Sequence, residues 1–358
     1  MSDRALFGAR IVVRSGALAD AAVLVRECVP GHRPVVIADD HVAPLYAASI
    51  AAALDAELLT FPAGEASKTR VQWATLTDAL LERRYGRDTV VVAVGGGVCG
   101  DLAGFVAATY LRGVPVVHIP TSLVAMIDAA IGGKTGVDTR HGKNLVGAFH
   151  QPSLVLTDPL ALHTLPAAHR RAGMAEAIKH GVIADESYFH WIAAHGRALL
   201  KPALDAAMAL RLVGDSVAVK VEVVGGDERE GGRRKILNFG HTIGHAVEHL
   251  SGYTILHGDA VAIGMVVEAR AGELAGVTLP GLADDIAALC VELGLPVSID
   301  AAYGADAIIE LTRGDKKVRA GAVEYALPMR LGEMNDAGGR FALPLDDAPL
   351  REALAASR

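Results

Sequence analysis

The chain has 358 residues, of which 51% are hydrophobic and 21% charged, with a formal charge of −7. That length favours two domains over one small core, the apolar content excludes disorder, and the acidic balance excludes a basic nucleic-acid-binding surface. Cys28, Cys99 and Cys290 are too scattered for a disulfide framework, the N-terminus lacks an apolar signal core and no run approaches a membrane span, so a cytoplasmic globular protein is expected.

In chain order, short β-branched runs alternate with amphipathic stretches. Strands are expected at Ala9–Val13, Pro34–Ala38, Thr89–Val94, Pro115–Ile119 and Ser153–Leu156, and helices at Leu18–Cys28, Val42–Leu54, Lys68–Arg83 and Gly100–Leu111. This is the pattern of a mostly parallel sheet with helices on both faces. From about Pro166 the texture changes to Ala-rich segments at helical spacing: Ala168–Ile183, Ala203–Val224, Asn238–Leu250, Gly258–Ala275 and Leu282–Leu293. A minor hairpin is expected from Ala322–Pro328 and Arg340–Leu343, and a closing helix at Leu350–Ala356. The expected boundary at Leu165-Pro166 gives an α/β domain over 1–165 and a mainly α-helical domain over 166–358.

After TVVVAV comes Gly95-Gly96-Gly97-Val98-Cys99-Gly100-Asp101, opening a helix. Its GxGxxG spacing lets backbone approach a pyrophosphate at a helix N-terminus, although a plain tight turn would carry the same letters. The motif follows a late strand, and no Asp or Glu occurs from Leu102 to Ile127 to hold a ribose; Asp39, Asp40 and Glu65 are the candidates. Pro120-Thr121-Ser122 ends the next strand. Asp128, Lys134, Lys143 and Asn144 then fall in a Gly-rich loop expected to be anchored by Ile127, Ile131, Val137 and Val146. Lysines beside glycines suit phosphate oxygens.

Glu176 and Lys179 lie one helical turn apart among apolar neighbours, and a buried carboxylate needs a cation or metal beside it. Residues 235–259 then hold four of the fourteen histidines. His241, His245 and His249 would line one helix face, and with Glu176 they offer an oxygen-and-imidazole site for a divalent ion such as zinc. Spacing alone selects His241 and His245 as ligands and leaves His257 over. Core or surface histidines are the alternative.

Taken together, GEASK, GGGVCGDLAGFVAATYLRG, PTSL, GGKTGVD, GKNLVGAFHQP, GMAEAIKHG, RRKILNFGHTIGHAVE, LHGDAVAIGM and DKK run from about Glu65 to Lys317. In kind, order and spacing this set resembles the 3-dehydroquinate synthases, a sugar-phosphate cyclase family. The resemblance implies an NAD-binding α/β domain followed by a helical metal-binding domain, with zinc or cobalt as the ion. It moves the ligands to Glu176, His241 and His257 and puts His245 on a substrate-contacting position. Asp128, Lys134, Asn144, Lys179, Lys220, Arg234, Asn238, His245 and Lys316 (or its neighbour Lys317) match the substrate pocket. Arg112 matches an arginine reaching the phosphate from the other subunit of a homodimer. For NAD the matches are Glu65, Lys68, Gly97, Val98, Cys99, Gly100, Asp101, Thr121, Ser122 and Lys143. Asp39 and Lys134 are further cofactor-facing candidates, as is Thr164 in the loosely matching ALHT. Two departures are Ala63, where Asp is common, and Asp138, which adds a negative charge beside a phosphate-rich loop.

The implied reaction converts 3-deoxy-D-arabino-heptulosonate 7-phosphate to 3-dehydroquinate, with phosphate release and no net change of NAD. A sister cyclase acting on another sugar phosphate and a metal-dependent alcohol dehydrogenase, which would accumulate NADH, are the competing expectations.

Overall fold

The structure, a computed structural model, describes residues 2–201, 203–313, 318–319 and 322–358. Contacts divide the chain into two units, Met1–Leu165 with Asp205–Val217, and Pro166–Leu204 with Ala218–Arg358.

The first unit is built on β1 (Ser2–Leu6), β2 (Ala9–Val13), β3 (Arg33–Asp39), β4 (Glu57–Phe61), β5 (Thr89–Gly95) and β6 (Val116–Pro120). A hairpin of β7 (Lys134–Thr139) and β8 (Gly142–Phe149) follows, and then β9 (Leu154–Thr157). The main sheet has the order β1-β2-β9-β6-β5-β3-β4; only β1 runs antiparallel to its neighbour. Strands β5 and β6 are buried along their whole length, which is why they read as unbroken apolar runs. Adjacent β3 and β5 show the period of two: Val36, Ala38, Val92 and Val94 face one core, Val35, Ile37, Val91 and Ala93 the other. The first core is completed by α1 (Ala21–Cys28) and α2 (Ala48–Leu54), the second by α3 (Arg70–Glu82) and α4 (Gly97–Thr109). Because β4 lies outside β3 and the chain then returns to β5 on the other side, strand order reverses between β3 and β5. Ligands of open α/β sheets bind beyond the carboxyl ends of strands at such a switch point, here marked by Asp39 and Gly95.

The expected Gly-rich loop carrying Lys134, Lys143 and Asn144 is instead the β7–β8 hairpin. Its glycines serve close strand approach: a Cβ on Gly147 would lie 2.1 Å from the Thr135 carbonyl oxygen. Ile127, Ile131 and Val137 are buried as expected, but Val146 is exposed with Leu145 and Phe149 on β8.

The second unit contains α5 (Ala167–Ala184), α6 (Glu186–Leu199), the last part of α7 (Ala206–Gly225), α8 (His241–Leu250) and α9 (His257–Leu274). Beyond these lie α10 (Leu282–Glu292), α11 (Ala305–Arg313) and α12 (Asp347–Ala356). Helix α9 packs against α5, α8, α10 and α12 and is buried on every side, so its sequence is apolar all round rather than in a stripe. Glycines set how closely its neighbours come. A Cβ on Gly258 would fall 1.8 Å from the Ala172 carbonyl oxygen of α5, and one on Gly264 1.9 Å from that of Gly240. Among the described residues no helix is long and apolar enough to cross a membrane.

Candidate active site

In the second unit, α5 buries Glu176 and Lys179 completely, and the ammonium ion-pairs with Glu176 Oε2. The other oxygen, Oε1, lies 3.4 Å from His241 Nε2 and 3.3 Å from His257 Nε2. Neither carboxylate oxygen accepts a well-formed hydrogen bond from the protein. The three donor atoms lie within 4.8 Å of one another. An O,N,N set converging on a buried carboxylate oxygen that accepts no hydrogen bond fits a divalent ion of the zinc or cobalt type.

The positions of these side chains follow from their helices. Helix α8 starts at Gly240, whose φ of 78° suits glycine and whose missing side chain leaves the helix start uncapped. A fully buried carboxylate on α9, Glu268, fills that role by accepting the N–H groups of Gly240 (2.7 Å) and Ile243 (3.0 Å). His241 is thereby held at the helix start, and its Nδ1 donates to the Phe239 carbonyl at 3.2 Å. His257 opens α9; its Nδ1 faces Glu248 Oε2 at 3.4 Å.

Burial opposes the charge of Glu176, but Lys179, followed by His241, holds the carboxyl well below its usual range. Burial, reinforced by Lys179, pushes His241 down to about 3, so this imidazole is neutral with a lone pair available. Burial also works against a charge on His257, yet the facing carboxylates of Glu176 and Glu248 push it up to about 10.

His245 sits beside this group, its ring centroid 5.4 Å from that of His241 and 6.1 Å from that of His257. The expected row of three histidines stops there, because each step of four residues turns the face by about 40°. His249 is exposed and meets Tyr253 edge-on. The pair His241 and His245, selected by spacing, does not share a donor group with Glu176; His245 groups with Glu248 and His257 instead.

Lys220 on α7 and Arg234 are buried. Arg234 donates from Nη1 to the Glu228 carbonyl, and its backbone N–H binds Asp227 Oδ2. Asn238 donates to Glu230 Oε1 at 2.5 Å. Lys316 and Lys317 lie outside the described residues.

In the first unit, the Gly95–Gly97 turn joins β5 to α4, whose N-cap, Gly96, has no side chain to occupy the first N–H groups. Added Cβ atoms would meet Cys99 at 2.6 Å from Gly95 and Ser122 Oγ at 3.3 Å from Gly96. The bare turn is therefore a cradle open to an anion. Cys99 itself is buried, its thiol donating to the Ile37 carbonyl, so only its backbone can face a cofactor. Thr121 N–H donates to the Gly95 carbonyl, and Thr164 Oγ1 contacts the Tyr46 hydroxyl at 2.6 Å. Asp39 Oδ1 accepts the N–H groups of His41 and Val42, while Asp40 accepts that of Ala63.

Beside the turn, Glu65, Lys68, Asp101, Asp138, Lys143 and Asn144 form one polar network. Buried Lys68 Nζ is 2.5 Å from Asp101 Oδ2 and donates to Asn144 Oδ1 at 2.5 Å. Lys143 pairs with Glu65 at 3.4 Å, and Asp138 Oδ1 accepts the Asn144 N–H at 2.9 Å. Burial pushes Asp138 up to about 6 against the pull of Lys68. Asp138 is thus tied into the hairpin. Asp128 lies in the short helical turn Ala125–Ala129, and Lys134 is exposed at the start of β7. Arg112 is exposed on a turn where Leu111, Arg112 and Gly113 have φ of 48°, 70° and 118°. Successive positive φ values at non-glycine residues store strain of about 1–3 kcal/mol each.

Three acids of the second unit were not among the expected site residues. Glu268 carried a signal, as a lone acid in the apolar body of α9. Glu248 lies seven residues after His241, on the same side of α8. Glu230 gave none, since it sits in a turn at φ 61°.

Residues 58–172 match the family model described as 3-dehydroquinate synthase N-terminal, and residues 173–318 the one described as 3-dehydroquinate synthase C-terminal. A 3-dehydroquinate synthase of Symbiobacterium thermophilum is 44% identical over 331 residues, spanning 90% of this chain and 92% of its own. The solved 2-epi-5-epi-valiolone synthase of Streptomyces hygroscopicus subsp. jinggangensis, with NAD+ and Zn2+ bound, has a TM-score of 0.88 at 29% identity, covering 99% of this chain and 98% of that one. A 2-deoxy-scyllo-inosose synthase complexed with carbaglucose-6-phosphate, NAD+ and Co2+ shares the fold over 100% of both chains, with a TM-score of 0.88 and 23% identity.

Proposed function

The chain belongs to the 3-dehydroquinate synthase family, and from that premise we propose how its residues divide the work. Its reaction is the cyclisation of 3-deoxy-D-arabino-heptulosonate 7-phosphate to 3-dehydroquinate with release of phosphate, dependent on NAD and a divalent metal ion. When bound, NAD takes a hydride from a substrate alcohol and later restores it, while the ion polarises the hydroxyls it holds. The net change is therefore a phosphate elimination followed by an intramolecular aldol closure.

The observation that carries the residue assignments is the convergence of Glu176 Oε1 with Nε2 of His241 and His257. These three hold the ion. Lys179 occupies Glu176 Oε2, which leaves Oε1 to face it. The Gly97–Asp101 turn receives the pyrophosphate, with Asp39 and Glu65 on ribose hydroxyls and Lys68, Thr121, Ser122, Lys134, Lys143 and Thr164 around them. Phosphate and carboxylate both need cations or strong donors. Lys134, Asn144, His245 and Lys316 take the phosphate, and Lys220 and Arg234 the carboxylate. Asp128 and Asn238 hold hydroxyls. Two domains divided near Leu165, and a cytoplasmic location, complete the reading.

The protein given this heptulosonate phosphate with NAD+ and zinc or cobalt is expected to release phosphate and dehydroquinate in equal amounts. No NADH should accumulate, and a chelator should stop both products together. Steady NADH production without phosphate would place the chain among metal-dependent alcohol dehydrogenases. Turnover of a different sugar phosphate alone would make it a sister cyclase.

A homodimer with Arg112 acting in the partner's site is part of the same reading. The strained, exposed Arg112 turn supports it, as do Leu145, Val146 and Phe149, exposed on an edge strand. Arg112→Ala and His257→Ala should each be inactive alone. Mixed under exchange conditions, they should recover about a quarter of wild-type activity, because half the dimers then carry one complete site. No recovery from exchanged mixtures would return Arg112 to its own subunit.

A further inference from the structure

We propose that Glu248 is a positioning residue for the metal centre: it fixes the His257 ring so that Nε2 faces the ion, without ligating the ion itself. The proposal rests on the ligand set Glu176, His241 and His257.

A histidine that binds through Nε2 must carry its proton on Nδ1, and whatever accepts that proton selects the tautomer and the ring angle. The two histidines meet this need differently. His241 gives its Nδ1–H to a neutral backbone carbonyl, that of Phe239, and its place is already fixed by the Glu268 cap on α8. His257 has no such support. It is the first residue of α9, follows an N-cap (Leu256) that makes no side-chain bond, and keeps 34% of its side chain exposed. Its ring lies between two carboxylates, with Nε2 at 3.3 Å from Glu176 Oε1 and Nδ1 at 3.4 Å from Glu248 Oε2. Glu248 is 2% exposed on the last turn of α8, so the less enclosed histidine has the charged partner. A carboxylate there also makes the imidazole a stronger donor to the ion.

The rival role is visible too. His245, Glu248 and His257 form a donor group of their own, in which Glu248 would be a ligand. The two roles separate by coordination. An orienting carboxylate changes how tightly the ion is held but not what surrounds it, whereas a ligand changes both.

The test is zinc affinity by competition with a chromophoric chelator, together with the visible absorption of the cobalt-loaded protein. Glu248→Ala is expected to bind one equivalent of metal about 10- to 100-fold more weakly, with the wild-type cobalt spectrum. Glu248→Gln should lose less, because its amide oxygen still accepts from Nδ1–H. An altered cobalt spectrum in either variant would make Glu248 a ligand, and unchanged affinity in both would leave it without a positioning role. Should the alanine variant fail to fold, the glutamine variant decides by the same two readouts. Glu176→Ala and His241→Ala run in parallel: if they keep wild-type affinity, it is the ligand set that has failed, and the positioning role falls with it.

Discussion

Replacing Gly264 by alanine is expected to destabilise the protein by about 3 kcal/mol or more and to release the metal ion with it. The added Cβ would lie 1.9 Å from the Gly240 carbonyl oxygen and 2.8 Å from the Gly244 nitrogen. These are backbone atoms, so no side-chain rotation relieves the clash, and α8 must move away from α9. Overpacking of this kind costs typically about 1–3 kcal/mol. The same displacement pulls the Gly240 and Ile243 N–H groups from Glu268 and costs a buried carboxylate two hydrogen bonds, at roughly 1–3 kcal/mol more. His241 follows Gly240 directly and moves with it. The control is Gly214→Ala on α7, where an added Cβ meets nothing within 4 Å. It should stabilise by about 0.5–1 kcal/mol through helix propensity. Denaturant midpoints and zinc content check both variants; a Gly264→Ala protein as stable as wild type would refute the close-contact account.

His257→Ala should lose stoichiometric metal and turnover together, by about a thousandfold or more, since the centre then keeps only two protein ligands. His245→Ala should keep its metal and lose roughly ten- to a hundredfold in turnover, in line with the loss of one hydrogen bond to a charged phosphate. Metal analysis of purified variants separates the two. If His245→Ala empties the site while His257→Ala leaves it filled, the ligands are the pair one helical turn apart, as local spacing alone suggests.

That contrast shows what was legible in the sequence. His241 and His245 are related by local geometry, and four residues on a helix are read directly. His257 enters through the packing of α9 on α8 and α5, which no periodicity encodes, and the family resemblance supplied it instead. The central strands were legible because burial on both faces leaves an uninterrupted apolar run, as in Thr89–Val94. Edge strand β4, ELLTF, lacks such a run and is not among the expected strands. The glycines of the β7–β8 hairpin suggest a loop from sequence alone, whereas Gly136 and Gly147 let two strands approach closely. Helix α6 lies outside the expected helices although the sequence carries its cap: Asp185 accepts the Tyr188 N–H at 3.0 Å.

The helices that carry Glu176, His241 and His257 touch through their backbones: Gly258 on Ala172, Gly264 on Gly240, Gly244 on Ala260. Side-chain contacts can drift over generations, because a smaller residue on one side admits a larger one on the other. A backbone contact at glycine has no smaller residue left to offer. The proposed cage for the ion is therefore insulated from gradual change, and descendants of this chain inherit it whole or lose it. New substrate preferences would arise around it instead, at positions such as Lys220, Arg234 and Asn238, where a side chain rather than the main chain meets the substrate in the proposed pocket.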